Sequence, residues 1–180
     1  RKLDRIESEP PDFHERVRDS FLKQAEASPD LPLALQVDPE YGSGILKESA
    51  YESYRVGVPI EKAGYFHDEW LCGEELHQHL RERPSEWFVK FLWRFHPDLS
   101  PEQKSLQLKR LFRLYEACRD LDRRLMLEMI LCEGFPWGGE ALAKAVSEVY
   151  EAHIYPFWWK LAGPQIGSDW QPITNAIDRY

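Results

Sequence analysis

The sequence predicts an α/β fold, a parallel sheet covered by helices, with about five strands inside the chain. Three observations predict it. A first helical pattern is followed by five strand-then-helix units in strict alternation. The strands are near-continuous apolar runs without hairpin signals between them. Within each strand the polar residues keep to one face.

The elements follow in order. After Pro10-Pro11, Phe13, Val17, Phe21 and Ala25 recur every four residues and mark a helix from Asp12 to about Ala27, ended by Pro29-Asp30. Leu33 to Val37 is a strand, Asp38 to Gly44 a loop of turn formers, and Ile45 to Tyr54 a helix. Arg55 to Ile60 is a strand interrupted by Gly57 and Pro59, and Glu61-Lys62-Ala63-Gly64 leaves its end as a loop. An irregular polar stretch holds a helix near Glu74 to Arg81. Strand Trp87 to Phe95 runs into His96-Pro97-Asp98. Ser100-Pro101-Glu102-Gln103 then starts a helix, with Ser as cap, Pro at the first position and Gln three residues after the cap; the helix continues to about Asp120. Strand Leu125 to Leu131, loop Cys132 to Gly139, helix Glu140 to Ala152, strand Tyr155 to Leu161 and a helix from about Asp169 complete the chain.

Three of the apolar runs carry an ion at their centre: Lys90, Glu128 and Lys160. Burying one unpaired ion costs several kcal/mol, so three in successive strands point to a shared site. By parity Lys90 lies with Leu92 and Arg94, Glu128 with Met126 and Ile130, Lys160 with Trp158, and Asp38 with Gln36 and Ala34. An apolar face under helices and an inner face with a few charges is what a catalytic barrel presents, whereas a doubly wound sheet wants both faces apolar. Trp87, Trp93 and Trp159 fall to the core.

Composition narrows the function. The chain has 180 residues, 43% of them hydrophobic, and a net charge of -8. That charge argues against nucleic-acid binding, while a local cationic pocket for a phosphate is compatible with it. There is no apolar run of the roughly 18 residues a membrane span needs and no signal-peptide pattern, so the expectation is a cytoplasmic protein with no membrane partner. Cys72, Cys118 and Cys132 match neither a zinc spacing nor a disulfide framework. His67, His77, His79 and Cys72 sit in a polar stretch where solvated side chains outweigh a metal site. No G-x-G-x-x-G or Walker A stretch occurs.

Five segments carry a family resemblance: Val37-Asp38-Pro39-Glu40-Tyr41-Gly42, Pro59-Ile60-Glu61-Lys62-Ala63-Gly64, Val89-Lys90-Phe91-Leu92 running into His96-Pro97-Asp98, Leu127-Glu128, and Trp159-Lys160-Leu161. Through them the chain resembles the class I aldolase family that includes tagatose bisphosphate aldolase. It is more closely similar to the aldolase-like domain fused to 5-dehydro-2-deoxygluconokinases of myo-inositol catabolism. The resemblance implies a (β/α)8, or TIM, barrel seen here in part, as strands two to six of a single domain over 1–180. Truncated at both ends, it amounts to about two-thirds of a barrel of roughly 250 residues. It implies a lyase of carbohydrate metabolism with Lys160 as the Schiff-base nucleophile, Glu128 as proton shuttle and Lys90 beside them. Asp38, Glu40, Glu61 and Lys62 fall at the family's acidic loops, where Asp38 and Glu40 serve equally well as loop hydrogen-bond acceptors, and Arg94 and His96 either bind the substrate phosphate or cap a loop. No cofactor or metal is implied. The substrate class is a phosphorylated keto sugar or sugar acid, with 6-phospho-5-dehydro-2-deoxygluconate a candidate, and the expected associations are an oligomer or a fused sugar kinase domain. One departure is Ala162, where the family carries an acid.

The chemistry wants these residue types. A lysine attacks a carbonyl as the free amine, although its reference pKa is about 10.4. Desolvation beside Trp158 and the charge of Lys90 would favour that form at Lys160, and Glu128 would oppose it. The alternative is that Lys90, Glu128 and Lys160 form a structural ion network in a non-catalytic, interacting or regulatory module.

Overall fold

The computed structural model describes residues 10, 12, 13, 15, 16, 19, 20, 23, 34–39, 46–47, 55–62, 70–73, 75–163 and 167–180, without the side chains of residues 35 and 168. The chain divides into a unit at 1–34 and a larger unit at 35–180. In the first, the described residues from 12 to 23 are helical, and Arg16 pairs with Asp12 one turn away at 2.7 Å. Val17, Phe21 and Ala25 of the predicted stripe lie outside the described residues. Of the helix predicted over 45–54, only Leu46 and Lys47 are described, and both are helical.

The sheet contains β1 (Ala34–Gln36), β2 (Arg55–Pro59), β3 (Phe88–Phe95), β4 (Leu125–Leu131) and β5 (Trp158–Leu161), in that spatial order. Parallel register runs through the last four, with Pro59 beside Lys90, Leu92 beside Glu128 and Glu128 beside Lys160. Parallel register is described for four strands, β2 to β5, one fewer than expected, and β1 is a three-residue segment at the sheet's edge. The α/β class holds. Each strand neighbours the one before it in sequence, as a singly wound sheet requires.

Helices α1 (Leu76–Arg81), α2 (Pro101–Asp120), α3 (Gly139–Glu151) and α4 (Gln171–Asp178) follow the strands, the last preceded by a 3-10 turn at Gly167–Trp170. Ser100 and Gln103 form the predicted capping box at the start of α2, each side chain closing the other residue's backbone N–H. Two helix ends were not legible from composition. After α2, Asp122 takes φ 51°, with Arg123 N–H on the Cys118 carbonyl and Asp122 N–H on that of Arg119. After α3, His153 repeats this at φ 59°, with Ile154 N–H on Val149 and His153 N–H on Tyr150. Both are Schellman turns built without the usual glycine.

Parity sorts the strands as expected. Phe91, Trp93, Phe95, Leu125, Leu127, Met129 and Leu131 are buried with Leu111, Leu114, Leu142 and Val146 of the covering helices. Trp93 is core, but Trp87 and Trp159 are only half-buried at the sheet margin, where Trp159 donates its indole N–H to the Tyr150 hydroxyl at 2.7 Å. β5 begins later than predicted because Pro156 has no N–H to donate and Tyr155 turns toward the rings of Tyr115 and Tyr150. Gly57, which reads as an interruption, is a seat: a Cβ there would lie 2.0 Å from the Phe88 ring. No helix among the described residues is long and apolar enough to cross a membrane.

Candidate active site

Glu61, Lys90, Glu128 and Lys160 converge on the inner face of the sheet. The Lys90 ammonium donates to Glu61 Oε1 at 2.5 Å and to Glu128 Oε2 at 2.6 Å, while Lys160 Nζ lies 2.8 Å from Glu128 Oε1. One carboxylate thus bridges two lysines, an oxygen to each. The result is a charge-alternating chain, Glu61–Lys90–Glu128–Lys160.

The chain runs from interior to surface. The Lys90 side chain is 5% exposed, Glu128 14% and Lys160 49%. This corrects the expectation that Lys160 is desolvated beside Trp158. Lys160 sits on the last strand of the sheet, and it is Lys90, between two strands, that is enclosed. The repulsion expected between the lysines is also mediated, since Glu128 stands between them.

Local sequence explains each position. Lys90 and Glu128 are held by strands whose alternate residues anchor the core. Glu61 is held by backbone: it forms an antiparallel bridge with Trp70, and Leu71 N–H donates to the Ile60 carbonyl at 2.7 Å. Trp70 is buried beneath the Arg110 guanidinium, 4.6 Å from its ring centre. Its part in fixing Glu61 was invisible in sequence, because the connection between the two residues has no regular period. Beneath the ion chain, Phe88 and Trp158 meet edge to face at 5.2 Å and close the inner face with an apolar floor.

Burial pushes the Glu128 carboxyl up, but hydrogen bonds from Lys160 and Lys90, with the charges of both, outweigh it and hold the group below its ordinary 4.5. Glu128 is therefore an anion at neutral pH, in direct contact with the Lys160 side chain at 2.8 Å. The second oxygen of Glu61 is buried without a partner.

The other predicted residues fall elsewhere. His96 is buried and spends both ring nitrogens inside the chain: Nε2 on the Pro136 carbonyl at 2.8 Å, and Nδ1 accepting Asp98 N–H at 3.1 Å. Its ring stacks on Phe135 at 4.6 Å. His96 thus pins the β4–α3 loop, the capping role that was the alternative to a phosphate ligand. Arg94 is half-buried on the face of β3 that carries Lys90; Asp38 and Lys62 are half-buried after β1 and β2. Glu40 and His67 lie outside the described residues. Among the described residues no group of three or more His, Cys, Asp or Glu could hold a metal ion. Cys118 is buried, which pushes its thiol up to about 12.

Comparison with curated proteins gives no significant match. Among solved structures the chain is similar to the Clostridial cellulose synthase subunit Z from Clostridioides difficile, at 11% identity over 93% of this chain and 80% of that one, with a TM-score of 0.49. So remote a likeness does not bear on function. A family model described as "Uncharacterized protein conserved in bacteria" (DUF2090) matches residues 12–180. With nearly its whole length matched, the chain belongs to the DUF2090 family.

Proposed function

We propose that the chain is a class I aldolase, built on part of a (β/α)8 barrel, that cleaves a phosphorylated keto sugar or sugar acid through a Schiff base on Lys160. The observation that carries this reading is the Lys160–Glu128–Lys90 triad: a solvent-reachable amine 2.8 Å from a carboxylate whose other oxygen is fixed by an enclosed lysine. The singly wound parallel order and the polar inner face support it.

Lys160 passes a proton to Glu128 and its amine adds to the substrate ketone. Glu128 returns the proton as the carbinolamine loses water, leaving an iminium. Glu128 then takes the proton from the hydroxyl β to that carbon. The carbon–carbon bond breaks, the aldehyde departs, and its bonding pair enters the iminium to give an enamine. Protonation of the enamine by Glu128 and hydrolysis release the second product. For 6-phospho-5-dehydro-2-deoxygluconate the C3–C4 bond breaks, giving 3-oxopropanoate and dihydroxyacetone phosphate. Lys90 holds Glu128 in place throughout.

The test is reductive trapping of the full-length protein with dihydroxyacetone phosphate and borohydride, followed by peptide mapping. The reading expects one adduct, on Lys160, abolished in Lys160→Met. An adduct on a different lysine, or none, overturns it. A second reading, a non-catalytic module, is favoured by the balance of two lysines against two glutamates, which needs no ligand to complete it. That reading expects no trapping in the native protein and a loss of stability, but of nothing else, on removing Lys90.

A further inference from the structure

The opposite end of the sheet carries a second cavity, of about 680 Å³. Arginines from three places converge on it: Arg55 at the first residue of β2, Arg119 near the end of α2, and Arg123 and Arg124 in the turn leading to β4. Glu86 and Asp122 are the only acids on its wall among the described residues. In a chain of net charge -8, this is a concentration of the opposite sign. The bottom face of a barrel ordinarily serves stability and not chemistry, and an exposed cation cluster does not serve stability.

The arginines are not equivalent. Arg123 is built into the wall and donates to the Leu80, Arg83 and Pro84 carbonyls, which fixes its charge and leaves its Nε buried without a partner. Arg124 lies over the Phe157 ring, 4.6 Å from its centre, and 5.8 Å from that of Trp158. Stacking of this kind orients a guanidinium while leaving its N–H edge available. Among the described residues no carboxylate forms an ion pair with Arg55, Arg123 or Arg124. Tyr155 and Phe157, 45% and 56% exposed, stand beside them.

We propose that this cavity binds a phosphorylated small molecule bearing a planar ring, of the nucleotide class. Arg55 and Arg124 take the phosphates as bidentate donors, Arg123 supplies a fixed charge behind them, and the exposed aromatic side chains receive the ring. The volume suits such a ligand, since small-molecule pockets run from about 300 to 1,000 Å³. None of Glu61, Lys90, Glu128 and Lys160 lines this cavity, so the proposal stands whether or not the chain is an aldolase.

Calorimetric titration of the full-length protein with ADP, and separately with inorganic pyrophosphate, tests it. Saturable ADP binding is expected, weakened by salt, at least about tenfold weaker in Arg55→Ala and in Arg124→Ala, and tighter than pyrophosphate binding. Circular dichroism of both variants checks that they fold; Arg123 is left intact because it holds backbone. No saturable ADP binding, or ADP binding that both variants retain, overturns the site. Pyrophosphate binding as tight as ADP overturns the aromatic half of the assignment.

Discussion

The two ends of this sheet handle charge in opposite ways. On the inner face, Glu61, Lys90, Glu128 and Lys160 alternate in sign and satisfy one another at 2.5–2.8 Å. At the strand starts, Arg55, Arg123 and Arg124 share one sign, and Arg123 alone has fixed acceptors, all of them backbone carbonyls. The difference follows from burial. An ion in the interior must bring its counter-ion with it, whereas an ion at a rim can be left for a ligand to neutralise. A balanced network maintains itself and offers reactive protons; an unbalanced one offers binding.

The inner chain is most sensitive at Lys90. Lys90→Met should cost about 3 kcal/mol by urea unfolding, because Glu61 is then buried without a cation; a loss below about 1 kcal/mol would mean that the inner chain is not held by pairing. Arg123→Ala should cost about 2 kcal/mol by the same measurement, since three backbone carbonyls lose their donor. The pH profile sharpens the contrast. Glu128 has its carboxyl held below 4.5 in the folded state, so its stabilisation is present above that value and is lost as pH falls through the lower folded one. The stability gap between the native protein and Glu128→Gln should therefore be constant from neutrality to about pH 5 and close in stronger acid. The smallest effect is expected from Arg124→Ala without ligand: a change under about 1 kcal/mol, because the residue loses only its stacking on Phe157.

Much of this was legible in sequence where a local rule applies. β4 runs over Leu125–Leu131 as its apolar run predicts, and α2 starts at the capping box that Ser100 and Gln103 spell out. Three ions in three apolar strands announced a shared site, and parity put them on one face. The rest was not local. That Lys160 is the open end of the chain and Lys90 the closed one depends on which strand has a neighbour on both sides. His96 shares its strand end with the candidate residues, yet a loop forty residues away takes up its ring nitrogen. The helix ends at Asp122 and His153 carry no glycine to signal them.

Periodicity and the cost of burying charge act along the chain, and from them follow the α/β alternation, the face on which each strand residue lies and the placing of Lys90 and Glu128 on the polar face of apolar strands. Which carboxylate oxygen meets which ammonium, which lysine solvent reaches, and the gathering of arginines from separate elements around one cavity came from the three-dimensional packing. Those outcomes depend on register between strands and on packing between distant segments, and neither is written in the spacing of neighbouring residues.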